Sequence, residues 1–262
     1  MGFDHAVTKR RRLGTKAPMT CAERQARVDL AACYRLAARE GWDDLIFTHI
    51  SARVPGPGPE HRFLINPFGL AFDEITASSL VKIDLEGTIV GDSPYGVNKA
   101  GFVIHSAIHE ARPDLACVMH LHTEAGMALS MLKDGLRPLS QHAMRFYGRI
   151  GYHGYEGIAL NEDEKQRLVK DLGPHKAMIL RNHGFLTAGA SVAEAFVLMF
   201  YLEKAARAQL RAMATGAPLV EPPEAVGDLT ARQFEGDSLA AGEREWPALL
   251  RRLDREAPDY RE

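Results

Sequence analysis

The stretch VMHLHTEAG places His120 and His122 one residue apart inside an otherwise apolar run. In a β-strand, side chains alternate between faces, so these two imidazoles point the same way. Two converging ring nitrogens suit a small divalent ion, and a catalytic site then needs a third protein ligand and an open position. A pair of satisfied core histidines explains the same spacing, so the third ligand decides. His183 in the tight turn RNHG stands first, because Gly184 lets the backbone approach closely. His105 stands second; with His109 it lies four apart on one helical face, a spacing that also grips metals. His142, His153 and His175 fall in predicted loops.

The elements that must hold these residues follow from caps, breakers and periodicity. Thr20 with Glu23 forms a capping-box signature ahead of the helical stripe Val28, Leu30, Ala31, Tyr34 and Leu36, and Gly41 ends it. DLIFTHISARV and HRFLINPF, separated by PGPGPEH, read as a hairpin with a long loop. TASSLVKIDLEGTIV reads as a strand pair bending at Glu86-Gly87. NKAGFVIHSAIHEARPDL has helical spacing closed by Pro113. ACVMHLH is a strand, TEAGMALSMLK a helix, and AMILRNHGFLTAG two strands turning at Asn182-His183-Gly184. Ser191 and Glu194 open a long helix. Strands and helices mix without strict alternation, so the predicted fold is α/β, a single domain with a largely antiparallel sheet.

The chain of 262 residues has 46% hydrophobic and 25% charged residues, the composition of a globular protein. A net charge of −2 gives no global reason to expect nucleic acid or a membrane surface as partner. No apolar run approaches the ~20 residues that cross a bilayer. The basic N-terminus has no apolar segment behind it, so it does not read as a secretory signal, and position 6 lacks the hydroxyl of a myristoylation site. Cys21, Cys33 and Cys117 are an odd number without metal-like spacing and read as reduced thiols; the expected location is cytoplasmic. Residues 1–18, with Lys9 to Arg12, read as a flexible basic arm, 19–215 as the folded domain, and 216–262 as a tail with a short helix near Trp246 that docks on the chain or a neighbour.

ARPDLACVMHLHTEAGMALS and ILRNHGFLTAGASVAEAF, together with LINPFGLAFDEITASSLVKIDLEG and GVNKAGFVIHSAIHEARPDL, resemble the class II aldolase/adducin family, most of all its adducin-head-like bacterial branch. The likeness runs from about Thr20 to about Thr215. It implies three layers with a central, mainly antiparallel sheet between helices, and a homotetramer with sites at subunit interfaces. It also implies a metal site on His120, His122 and His183, usually zinc; three imidazoles accept Mn2+, Fe2+ or Co2+ as well.

The sequence departs from the sugar-phosphate aldolases of that family. The position of their catalytic glutamate is Gly101, after Lys99 and Ala100. The glycine-asparagine pair that helps hold phosphate falls on Thr48-His49, and the second phosphate loop reads Asn66-Pro67-Phe68-Gly69. The resemblance thus makes His49, Asn66, Gly69 and Lys99 candidates for substrate binding, with Lys99 as a replacement positive charge or an exposed structural lysine. Tyr152 in GYHGYEG aligns with the family's tyrosine loop, as an acid–base group or a packing residue, and His105, one turn past the missing carboxylate, either handles protons or packs. Two functions follow: a metal-dependent carbon–carbon lyase of aldolase or decarboxylase type on a small non-phosphorylated hydroxy or keto compound, or a non-catalytic oligomeric scaffold of adducin type.

Overall fold

The computed structural model describes residues 19–56, 61–157, 162–237 and 241–262. The arm predicted for residues 1–18 lies outside the described residues. Helix α1 (Cys21–Arg39) starts where Thr20 Oγ1 accepts from the Glu23 amide at 3.1 Å, and Gly41 follows it at a φ of +69°. Its buried face carries Leu30, Ala31, Tyr34 and Leu36.

Among the described residues seven strands make one sheet: β1 (His49–Arg53), β2 (Phe63–Ile65), β3 (Val81–Ile83), β4 (Cys117–Leu121), β5 (Gly151–His153), β6 (Ala177–Leu180) and β7 (Gly184–Gly189). Their order is β3-β2-β1-β4-β7-β6-β5, and every pairing is antiparallel except β5 with β6. The other helices are α2 (Lys99–Ala111), α3 (Glu124–Ser130), α4 (Gln141–Met144), α5 (Glu162–Leu172), α6 (Val192–Ala214), α7 (Glu224–Glu235) and α8 (Glu245–Glu256).

Alternation along the strands sorts the two faces. Ile50, Ala52, Cys117, Met119, Leu121, Ile179 and Phe185 join one core with α1 and α6. Val118, Met178, Leu180, Leu186 and Ala188 join a second core with Ile104 and Ile108 of α2 and Leu168 and Leu172 of α5. The α/β architecture with a mostly antiparallel sheet between helical layers is therefore as the sequence predicts. By the same alternation His49, Ser51 and His120 lie on the α2 side.

Four local expectations need correction. The strand read as DLIFTHISARV begins only at His49, because Leu45 (φ 54°) and Thr48 (φ 63°) break extended geometry with left-handed backbone. His153 sits in β5 and His142 in α4, not in loops. The pair in TASSLVKIDLEGTIV is β3 plus a single bridge, Ile83 to Ile89, around Gly87 at φ +72°. The described residues past 216 hold two α-helices, α7 and α8, rather than one. Trp246, Leu253 and Tyr260 of this tail enter the α1/α6 core, so it docks on its own chain. No helix among the described residues is long and apolar enough to cross a membrane.

Candidate metal centre

Strand β4 delivers His120, and His122 follows it immediately. His183 arrives from the turn between β6 and β7. There Asn182 takes φ 55°, and the His183 amide donates to Leu180 O at 3.1 Å and to Ser130 Oγ at 3.1 Å. Gly184 is required next, because a Cβ there would lie 2.5 Å from the Leu121 carbonyl oxygen. These constraints bring three ring nitrogens together. Nε2 of His120 and of His122 stand 3.1 Å apart, and Nε2 of His122 and of His183 2.9 Å apart. The three are the group of potential ligands found among the described residues.

The outer nitrogens are already committed. Nδ1 of His120 stands 3.0 Å from the Phe185 carbonyl, and Nδ1 of His122 stands 2.9 Å from Asp44 Oδ2. A carbonyl and a carboxylate only accept, so both Nδ1 atoms carry protons and both Nε2 atoms are left as lone pairs. Lone pairs facing one another at 3 Å repel unless a cation sits among them, whether a proton or a metal ion. Burial and the neighbouring histidines hold His120 well below the ordinary imidazole range, and they lower His183 to about 4. His120 and His183 therefore favour the neutral form that ligates metal, and the donor set fits a divalent ion with imidazole ligands oriented from behind by a carbonyl and a carboxylate.

His49 lies directly across from His120 in the β1–β4 register. It is 4% exposed, its Nε2 has no hydrogen-bond partner, and burial lowers its pKa to about 4. The His105 ring centroid is 6.2 Å from that of His49. Asn66 takes a different place: its Oδ1 accepts from the Tyr34 hydroxyl at 2.9 Å, while its Nδ2 is buried without a partner. Gly69 adopts φ +107°, a conformation suited to glycine, in a loop where nothing would meet a Cβ. Lys99 opens α2, and the side chains of residues 99–101 lie outside the described ones.

Tyr152 is not brought to the triad within one chain. On β5 it pairs with Ile179, which faces the α1/α6 core, so it points to the side of the sheet opposite His120. Its phenol oxygen accepts from the Leu136 amide at 3.1 Å, and the Arg181 guanidinium covers its ring at 4.4 Å. The tyrosine near the metal centre is Tyr155, 56% exposed, with its ring centroid 6.0 Å from that of His183. Sequence reasoning missed Tyr155 and Asp44. Recognising GYH as a strand would have put residues 152 and 153 on opposite faces; nothing in the sequence marks Asp44.

With this geometry in place, comparison with known proteins is decisive. Residues 28–210 match the family model for the class II aldolase and adducin N-terminal domain. The chain belongs to this family. An aldolase II superfamily protein from Pseudomonas syringae superposes with a TM-score of 0.88 at 53% identity, covering 93% of this chain and 97% of that one. An L-fuculose 1-phosphate aldolase from Glaciozyma antarctica superposes with a TM-score of 0.82 at 32% identity, over 96% and 97% of the two chains. Rat alpha-adducin is 44% identical over 251 residues, which cover 88% of this chain but 33% of the adducin. Class II aldolase/adducin membership thus agrees with the resemblance carried by the histidine motifs, and the relatives carry both aldolase and adducin names.

Proposed function

We propose that this class II aldolase/adducin family protein is a metal-dependent carbon–carbon lyase acting on a small, non-phosphorylated hydroxy or keto compound. The observation that carries this reading is the convergence of the three Nε2 atoms of His120, His122 and His183, with His120 and His122 oriented from behind by the Phe185 carbonyl and the Asp44 carboxylate. A structural relic would have no need to hold three imidazoles with their Nε2 atoms turned toward one another. His120, His122 and His183 would hold a divalent ion, with zinc as first choice, which when bound would supply Lewis-acid stabilisation of an enolate.

The chain's own residues supply the rest. Gly101 offers no carboxylate, so proton handling falls to His105, the buried imidazole next along α2. Thr48 keeps the left-handed backbone of a glycine position at φ 63° but fills it with a β-branched side chain. Phe68 likewise puts a ring in the second loop, against Phe47 at 6.2 Å. Both substitutions argue against a phosphate cradle. His49 Nε2, buried and unpartnered across from His120, is the polar atom best placed to meet a substrate oxygen, with Asn66, Gly69 and Lys99 as further candidates from the family resemblance. Exposed Leu45, Phe47 and Tyr155 around the triad suit a site closed by a second copy in a homotetramer. In that assembly a neighbour's Tyr152 is the candidate acid–base tyrosine.

The adducin likeness favours a second reading, a non-catalytic oligomeric scaffold. Metal analysis separates them. The lyase reading expects close to one divalent ion per chain after purification without chelator, lost in His120→Ala, and turnover in a retro-aldol and decarboxylation screen over small hydroxy and keto acids. Trace metal indifferent to that substitution leaves the scaffold.

A further inference from the structure

Where the C-terminal tail meets the domain, a cavity of about 730 Å³ opens, and none of the three clustered histidines lines it. Among the described residues, Arg145 and Phe146, just after α4, and Leu198 of α6 form one part of its wall. Ala231 and Phe234 of α7 form another, past residue 210, where the match to the family domain ends. The volume falls in the range of about 300–1,000 Å³ typical of small-molecule sites. Phe146, Leu198, Ala231 and Phe234 give it a continuous supply of apolar surface, with charged groups set among them.

Three of the lining cations are already paired. Lys176 Nζ lies 2.6 Å from Glu194, Arg149 Nε 2.8 Å from Glu235, and Arg244 Nη1 2.9 Å from Asp237. Arg145 is held differently. The rings of Tyr201 and Phe234 cover its guanidinium, with Cζ 4.6 Å and 4.3 Å from their centroids. Its Nη1 is buried and has no hydrogen-bond partner. Aromatic faces attract the charge but offer the N–H edge no oxygen. Burial works against the charge, while Tyr201, Glu245 and Asp237 favour it, and a guanidinium stays protonated. Glu245 is itself engaged, accepting from the Gly242 amide at 3.1 Å. A charged donor left without an acceptor costs free energy, so this edge favours an incoming anion. The two oxygens of a carboxylate match the planar fork of a guanidinium. A doubly charged phosphate would meet the carboxylates of Glu245 and Asp237 against one unmatched cation. A bare carboxylate would leave the apolar wall wet.

We propose that this cavity is a second ligand site, which binds a small monocarboxylate with an apolar body. The carboxylate meets the N–H edge of Arg145, and the body lies against Phe146, Leu198 and Phe234. The site is independent of the metal centre and of the lyase reading. Because Arg145 precedes α6 and Phe234 belongs to α7, a bound ligand ties the tail to the domain. Only the folded chain builds such a wall, so the ligand stabilises the fold in proportion to its saturation.

The test is calorimetric titration of the full chain with benzoate as the probe. Benzamide keeps its shape without the charge, and acetate keeps the charge without the body; each should bind at least about tenfold more weakly. Inorganic phosphate should bind no better than acetate. Arg145→Met, which keeps an aliphatic stem against the rings but no N–H, should weaken benzoate at least about tenfold. Should that variant fail to fold, Arg145→Lys keeps the charge without the fork and should also bind benzoate more weakly. Carboxylates ligate metal ions too, so the titration is repeated in His120→Ala, where benzoate affinity should be unchanged. Benzoate should also raise the thermal midpoint of the wild type, and acetate should not at the same concentration. No benzoate binding at millimolar concentration, or equal affinity for benzoate and benzamide, overturns the proposal. So does phosphate bound as tightly as benzoate. Benzoate binding lost in His120→Ala but kept in the Arg145 variants places the carboxylate on the metal centre and overturns it as well.

Discussion

Asp44 Oδ2 stands 2.9 Å from Nδ1 of His122, linking the loop before β1 to the candidate ligand that follows β4. The loop that presents Asp44 holds two non-glycine residues in left-handed backbone, Leu45 and Thr48, each costing about 1–2 kcal/mol. Strain of that kind persists where the surroundings over-determine it, and here it aims a carboxylate at a ligand.

Asp44→Asn should therefore weaken zinc binding by about 10–100-fold while leaving the three ligands in place. Competition against a chromophoric chelator measures it. Undiminished affinity would reduce Asp44 to a surface partner of His122, consistent with its 43% exposed side chain.

The contrast between His122 and Asp44 shows what was legible in the sequence. The three clustered histidines lie in strand and turn motifs whose local pattern fixes their direction, so their convergence was legible in VMHLH and RNHG. Helices α1 and α6 were legible through Thr20 and Ser191, whose hydroxyls each accept from an amide three residues on. Asp44 and Tyr155 act from irregular segments, where the side chain's direction depends on backbone angles that no periodicity encodes. Strand β5 was missed because three residues are too few to show alternation, and with it went the face of Tyr152. Helix α7 hid behind a proline-rich approach, since Pro223 at its N-cap has no side-chain oxygen to mark the start.

The buried histidines give the protein a pH-dependent stability. His109 and His49 have folded pKa values of about 3 and about 4, below the ordinary value of 6.5. Between these limits the unfolded chain binds more protons, so their contribution is complete above pH 6.5 and is lost as pH falls toward 4 and then 3. Each group adds up to about 1.4 kcal/mol per pH unit to the slope. Urea unfolding at pH 7 and pH 5 should show a marked loss at the lower pH. His109→Gln, which keeps a partner for the Ser51 hydroxyl 2.8 Å from Nε2 but cannot titrate, should flatten the slope. An identical slope in the variant would place the acid sensitivity elsewhere.

Tyr152→Phe separates a structural tyrosine from a catalytic one. The phenol satisfies the Leu136 amide, and Gly135 leaves room for it, since a Cβ there would lie 2.7 Å from the hydroxyl oxygen. Losing that bond should cost about 1 kcal/mol in thermal or urea unfolding. Zinc content should be unchanged, because His120 lies on the other face of the sheet. Once a substrate is in hand, turnover abolished with metal retained would place this phenol in a neighbouring copy's site. Unaltered turnover would leave it a packing residue.

Gly184→Ala tests whether the β6–β7 turn positions the third ligand by backbone contact. The added Cβ would lie 2.5 Å from Leu121 O and 3.4 Å from Cδ2 of His122, and neither neighbour is a flexible chain end. Leu121 pairs with Phe185 across β4 and β7, so relief of the clash must separate these strands just where one carries His120 and the other follows His183. Overpacking of this kind costs about 1–3 kcal/mol. Zinc affinity should fall at least about tenfold, because the three nitrogens can no longer converge. Gly154→Ala is the control: it lies between His153 and Tyr155, nothing there would meet a Cβ within 4 Å, and both stability and zinc content should stay near wild type. If Gly184→Ala binds zinc as tightly as this control, the turn tolerates displacement and the site's convergence is set by β4 alone.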